Sequence, residues 1–449
     1  MTIIDKIQKK AVQGVTPDVA DILSTMGRFI NQGAQDASNL QKIKKKYEKL
    51  STEQKISLFR EMIIQFEVPK SEIEPVMKEI LGREESDPRY GRLISDLRKA
   101  CRAPRWSIFR ELVNVEGGLK FILDFRSDLL ASQREIGIDL TPMDSDLTFM
   151  LNTLFQHGFL VLQEITLDSS YRQLKLIADH DLVHPMASLE EMADRLGKDR
   201  LCFALYHRLM PNEPVIFIEV ALTKSIARSI TGIIQEEKTE GKRNGEMDTA
   251  MFYSINNAQQ GLTGMGLGKV LIGKVVEHIK QAKPNIKNFS TLSPLPGFWN
   301  RYLKPVLKGE RRKVSLTREE INSFFPKKTQ EAMLKDFAGE GQDLCAVLLE
   351  RLSDPAWPGN ESFRELVRKP LTDIAFHYVA KEKNERGNPI NPVANFHISN
   401  GARVNPKSIN FLGNPSPRGL EESCGIMVNY VYSLHWLNQI KQSFRWINI

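Results

Sequence analysis

Cysteine is scarce in this chain. Only four occur among 449 residues, Cys101, Cys202, Cys345 and Cys424, and no two form a CxxC pair. That scarcity excludes a disulfide scaffold and a zinc ribbon, and reduced thiols are expected. Long apolar runs are also missing: no window reaches the roughly 18 uninterrupted apolar residues of a spanning helix, so no membrane role is expected. The opening MTIIDKIQKKAVQGV has neither an apolar secretory core nor an Arg/Ser-rich import pattern, and the closing WINI is no peroxisomal signal. A cytoplasmic location is the expectation. Aromatics amount to 8% and form no stacking array, so nucleic-acid binding would rest on a net charge of +7 and on Lys42, Lys44, Lys45 and Lys46 alone. Those lysines read as a solvated helix face, and no nucleic-acid partner is expected. The eight histidines form no HExxH pattern, and nothing in the sequence calls for a metal.

What is present is the composition of a globular protein, 41% hydrophobic and 26% charged, long enough for two or three packed units. The first third reads as helices. Leu40, Ile43, Tyr47 and Leu50 recur at helical spacing, Ser51 with Gln54 forms a capping box, and Ser71 with Glu74 repeats the pattern. Thr141-Pro142 opens another helix, apolar through Phe149, Leu151 and Leu154, which stops near Gly158. Residues 1–163 are therefore expected to form an all-helical domain.

After Phe159 the character changes. A capped helix at 188–196, with Ser188 and Glu191 as its box, leads into strand-like runs at 201–209 and 214–222; the second, PVIFIEVAL, has the nearly continuous apolar character of a strand covered on both faces. A charged loop at 238–248 precedes a third strand, 249–255. Then Gly261, Gly264, Gly266 and Gly268 lead into the stripe Leu267, Val270, Leu271, Val275, Val276 and Ile279. Strand, glycine-rich turn and helix in this order gather backbone N–H groups where the helix dipole favours an anion, which suits a phosphate or pyrophosphate. A P-loop is excluded because Val270 follows Gly268-Lys269 and Thr263 stands where its first glycine belongs. A Rossmann fingerprint fits poorly, since the next strand, 288–295, ends in Ser-Pro-Leu-Pro-Gly rather than an acidic residue. The stretch Gln260-Gly261-Leu262-Thr263-Gly264-Met265-Gly266 is similar to the pyrophosphate loop of GNAT-type acyltransferases, which hold coenzyme A; an ordinary glycine-rich turn is the alternative.

Further motifs narrow the choice. FSTLSPLPGF at 289–298, NPVANFHISNG at 391–401 and SCGIMVNY at 423–430 closely resemble the malonyl-CoA decarboxylase family, as do His184-Pro185, the strand 218–223 and the stretch 252–264. The resemblance covers most of residues 165–435 and reaches the helical first third only in outline. It implies an α+β protein with a helical N-terminal domain and a GNAT-like mixed-sheet catalytic domain over 164–449. The implied reaction converts malonyl-CoA to acetyl-CoA and CO2 in a homo-oligomer, a tetramer joined through the helical domain.

Loss of CO2 from a malonyl thioester leaves an enolate on the thioester oxygen, so the substrate carries its own electron sink. Biotin, pyridoxal phosphate and metal are unnecessary, and no cofactor beyond the CoA thioester is expected. By resemblance Ser293 lies against the malonyl carboxylate and His397 protonates the enolate; imidazole is expected to titrate near neutrality and so serve both steps. Tyr432 and Asn429 are candidates for orienting the histidine or the thioester, with a buried hydrogen bond as the alternative for each. Thr263, Gly264, Met265, Gly266, Leu267, Gly268 and Lys269 are the expected pyrophosphate contacts. The family often carries an acidic residue where this chain has Gly266, and Glu219 or Glu277 could take over that role. A GNAT-type acyltransferase and a non-catalytic acyl-CoA sensor are the rival readings. The Ser-His-Asp hydrolase is disfavoured because GxSxG is absent around Ser293.

Overall fold

The computed structural model describes residues 15–32, 37–133, 135, 137, 139–181, 189–197, 199–235, 247–310 and 313–432. These fall into two compact units, one of residues 1–161, 206–215 and 257–267, the other of 162–205, 216–256 and 268–449.

Helices dominate the first unit: Pro17–Gln32, Ala37–Tyr47, Thr52–Gln65, Lys70–Leu81, Tyr90–Ala100, Arg105–Asn114, Gly118–Ser132 and Thr141–Leu154. The apolar spacing is realised as burial, with Leu40, Ile43, Tyr47 and Leu50 all inside. Phe125 occupies the centre of an aromatic cluster, its ring 5.1–6.2 Å from those of Tyr47, Phe59, Phe109 and Phe121. Edge-to-face and tilted contacts of this kind add about 0.5–1.5 kcal/mol each beyond the area they bury. The capping box at Ser51 forms as expected, Ser51 Oγ accepting from the Gln54 N–H and Gln54 Oε1 from the Ser51 N–H. The one expected at Ser71 does not. Pro69 is already N-cap there, with φ −70°, and Ser71 falls inside the first turn, where its side chain has no cap position to fill.

A seven-stranded mixed sheet runs in the order β1(Leu160–Ile165), β2(Arg200–His207), β3(Met210–Thr223), β4(Thr249–Asn257), β5(Asn288–Thr291), β10(Val431–Tyr432), β7(Ala402–Arg403). The parallel step is β4 to β5, with Phe252 opposite Thr291, and the Leu267–Ala282 helix supplies the crossover that a parallel pair requires. β3 is buried from Val215 to Thr223, as its apolar run predicts. The expected strand at 288–295 is broken. β5 ends at Thr291, and β6(Ser293–Pro294) joins a separate three-stranded sheet with β9(Met427–Val428) and β8(Ile409–Asn410). The neighbouring chain makes the same exchange between β9 and β10. Side by side, two segments leave one sheet for another, and Thr291, Ser293, Asn429 and Tyr430 sit at the split. The Ser188 box and most of the 238–248 loop lie outside the described residues.

Phe125→Ala should cost about 3–5 kcal/mol of unfolding free energy, because the surrounding rings cannot collapse into the vacated volume. Denaturant titration reads this as a shift of midpoint at unchanged slope.

Candidate active site

His397 is carried by the Pro392–Ser399 helix. Asn391 caps that helix, its Oδ1 accepting from the Ala394 N–H at 2.9 Å, and Pro392 follows at the first helical position. The other end of the same amide donates to the Pro296 carbonyl at 3.0 Å. One buried side chain thus starts the histidine's helix and ties it to the segment that carries Ser293. Sequence reasoning left Asn391 out of the site, although an Asn-Pro step before an apolar turn is a helix-start signal.

At the sheet split the side chains form a continuous line. Ser293 Oγ lies 3.1 Å from His397 Nε2, and His397 Nδ1 lies 2.9 Å from the Tyr432 hydroxyl. On its other side Ser293 Oγ is 2.9 Å from Thr291 Oγ1. All the members are buried, and the Tyr430 ring stacks on the imidazole at 4.6 Å and 24°. Burial pulls the His397 pKa down to about 3, so the ring is neutral at physiological pH. The expected titration near neutrality is overridden by desolvation. The same burial pushes the Tyr432 and Tyr430 phenols well above their ordinary values.

Three of the four expected reaction-centre residues are therefore hydrogen-bonded in one line, and the fourth stands one step behind them. Asn429 bonds neither the histidine nor Ser293. Its Nδ2 donates to the Thr291 carbonyl at 2.7 Å and the Ala227 carbonyl at 3.0 Å, and its Oδ1 accepts from Asn410 Nδ2 at 2.8 Å. The side chain replaces main-chain partners where the strands part.

The glycine-rich turn has the expected local form. Residues 260–262 make a 3-10 turn, Thr263 Oγ1 donates back to the Gln260 carbonyl, and Gly264 and Gly266 sit at φ +84° and +69°, which β-carbons disfavour. Thr263, Gly264 and Gly266 are exposed, Met265 is half-buried and Leu267 is buried. Arg126 holds this turn from within the same unit. Its Nη1 donates to the carbonyls of Gly261 at 2.5 Å and Thr263 at 3.2 Å, while Asp144 pairs with its Nε at 2.7 Å. It was absent from the sequence reading, yet a lone arginine between Phe125 and Leu129 on an apolar helix is a visible signal. Gly268 and Lys269 begin the Leu267–Ala282 helix, whose first N–H groups have no intrahelical acceptor. Gly268 is needed for a close approach: a β-carbon there would fall 2.2 Å from the Phe396 ring, next to His397.

Neither substitute for a carboxylate at position 266 touches the line. Glu219, on β3, is buried beside Arg195 (3.8 Å), and burial raises its pKa to about 8. Asp181, Ser254 and Asn256 complete that polar group through bonds to Asp181 of 3.0 and 2.8 Å and an Arg195–Asp181 pair at 2.9 Å. Glu277 lies half-buried on the Leu267–Ala282 helix. A β-carbon at 266 would meet nothing within 4 Å, but the residue would have to adopt a left-handed backbone.

A buried hydroxyl, imidazole and phenol in hydrogen-bonded series have the chemistry that proton transfer requires. Residues 66–155 match the model of the malonyl-CoA decarboxylase N-terminal domain, and 158–445 that of the malonyl-CoA decarboxylase C-terminal domain. Mitochondrial malonyl-CoA decarboxylase of Anser anser anser is 35% identical over 362 residues, 79% of this chain and 69% of that protein. The Mus musculus protein of the same name is 35% identical over 336 residues, 74% of this chain and 66% of its own. Crystal structures of malonyl-CoA decarboxylase from Rhodopseudomonas palustris and Agrobacterium vitis, each 27% identical, superpose with TM-scores of 0.76 and 0.77 over 94% and 93% of this chain and 94% of each of theirs. The chain belongs to the malonyl-CoA decarboxylase family, and its enzyme class is that of a carboxy-lyase.

A neutral buried imidazole has a signature in stability. The unfolded chain takes up a proton at His397 near pH 6.5 and the folded chain only near 3, so this site's contribution is intact above about 6.5 and declines as pH falls through that window. The stability difference between the wild type and His397→Gln should therefore move against the wild type below pH 6, with a slope approaching about 1.4 kcal/mol per pH unit. Urea titrations at stepped pH measure it; a pH-independent difference contradicts the neutral ring.

Proposed function

We propose that this protein converts malonyl-CoA to acetyl-CoA and CO2 with no cofactor beyond the thioester itself, and that the line Ser293–His397–Tyr432 performs the proton transfer. The single observation that carries the reading is that line, 3.1 and 2.9 Å between successive partners, in a chain of this family. Ser293 orients the malonyl carboxylate. As the bond between the carboxyl carbon and the α-carbon breaks, its electron pair passes into the thioester enolate and CO2 departs without charge. The enolate is a far stronger base than a phenolate, so a neutral imidazole suffices as donor if it is refilled at once: Nε2 gives its proton to the α-carbon while Nδ1 takes one from Tyr432. Solvent restores the phenol, and one proton is consumed per turnover. This path never requires an imidazolium, in keeping with the lowered pKa of His397.

Residues 263–269 are assigned to the coenzyme diphosphate through backbone N–H groups, with Lys269 adding positive charge. Arg126 serves them indirectly by engaging two carbonyls of the turn. Assembly into a homotetramer is assigned to the helical unit, where the Lys70–Leu81 and Tyr90–Ala100 pair has no buried side chain and Met77 and Leu81 are exposed. The compartment is part of the proposal too: the expected cytoplasmic placement differs from that named for the curated relatives, which are mitochondrial.

Mass spectrometry of products after incubation with malonyl-CoA tests the reaction: acetyl-CoA and CO2 without an acceptor support it, whereas malonyl transfer or unchanged substrate refutes it. His397→Ala should lower kcat by roughly 10² to 10⁴-fold while leaving coenzyme A affinity nearly unchanged. Arg126→Ala should act in the opposite sense, raising the coenzyme Kd by roughly tenfold, since loss of its charged bonds leaves the turn's carbonyls unsatisfied.

A further inference from the structure

We propose that Thr291 is a positioning residue that fixes which nitrogen of His397 carries the proton. Ser293 Oγ has one hydrogen and two neighbours able to accept it, Thr291 Oγ1 at 2.9 Å and His397 Nε2 at 3.1 Å. If the hydrogen goes to His397, Nε2 is an acceptor and the ring must carry its proton on Nδ1, toward Tyr432. If it goes to Thr291, Ser293 offers a lone pair and Nε2 bears the proton, with Nδ1 accepting from Tyr432. A neutral ring between two hydroxyls admits only these two polarities. Only the second presents a proton on the nitrogen that faces Ser293.

Thr291 is built to favour that second state. Its hydroxyl is buried at the point where β5 ends, and the side chain is β-branched and rotationally stiff. The main chain on either side is anchored: the Thr291 N–H donates to the Tyr430 carbonyl at 3.0 Å, and Asn429 Nδ2 donates to the Thr291 carbonyl at 2.7 Å. The Tyr430 N–H, which has left the sheet ladder, donates to Thr291 Oγ1 at 3.3 Å and fixes the oxygen's place. With one lone pair taken by the Tyr430 N–H, the oxygen offers its second to the Ser293 hydrogen. When Ser293 turns its hydrogen to an incoming carboxylate, the Thr291 hydroxyl can rotate and donate to Ser293 Oγ instead, which frees the Nε2 proton for the enolate. Asn429 thereby gains its role at one remove from the reacting groups.

This inference rests on the decarboxylase reading for its consequence in turnover, but the tautomer can be observed without substrate. Full-length protein with ¹⁵N-labelled histidine, with His397 assigned by comparison with His397→Gln, reports the protonated nitrogen by NMR. Wild type and Thr291→Ser should both show Nε2–H, whereas Thr291→Val should show Nδ1–H and lose at least roughly tenfold in kcat at unchanged KM. Should Thr291→Val fail to fold, Thr291→Ala carries the same expectation with less bulk. Retention of Nε2–H in the hydroxyl-free variants overturns the proposal, as does a changed tautomer with wild-type kcat. Absence of acetyl-CoA from the wild type would instead refute the decarboxylase reading and leave the tautomer measurement standing.

Discussion

Two adjacent backbones exchange sheets at one place, and the hydrogen bonds they would have made to one another must be satisfied there by side chains. Thr291 supplies an oxygen to the Tyr430 N–H, and Asn429 supplies an amide to the Thr291 carbonyl. Buried main-chain groups left without partners would cost several kcal/mol between them, so both residues are held firmly. Ser293, two residues beyond Thr291, inherits that rigidity, and so does the distance from its hydroxyl to His397. The opening in the sheet and the hydrogen-bonded line are one construction.

Burial gives this construction its chemical character. A solvated histidine would share its charge state with the medium, whereas His397 lies under the Tyr430 ring with a hydroxyl at each nitrogen and, among the described residues, no carboxylate paired to it. Neutrality leaves the imidazole one nitrogen that donates and one that accepts, matched to a hydroxyl on each side. The buried Arg195–Asp181 pair is the contrasting solution in the same unit, an ion pair kept in the interior with bonds from Ser254 and Asn256, while burial pushes the adjacent Glu219 toward its neutral form.

Much of this is legible in the sequence alone. Helical spacing located the buried face of the Ala37–Tyr47 helix, and the apolar run at 214–222 marked a covered strand, because both patterns report burial directly. Ser293, His397 and Tyr432 were found through motifs widely separated in sequence, and their mutual bonds followed only from the fold. The helix under His397 was missed because its eight residues are too short for periodicity to register, even though Asn391-Pro392 announced its start. Ser71 misled because a capping box is a local pattern, and Pro69 had already set where the helix begins. Arg126 and Thr291 were invisible as site residues for one reason: each acts on the main chain of a segment distant in sequence or at a strand break, and no spacing rule encodes that.

Gly268 has a consequence beyond the turn it belongs to. Its missing side chain leaves room for the edge of Phe396, the immediate neighbour of the histidine, so the opening of one helix is the wall against which another rests. Any bulk introduced there would press on the Phe396 ring and, through it, on the neighbouring imidazole. At this position, the course of one helix and the seating of the other cannot drift independently over evolutionary time.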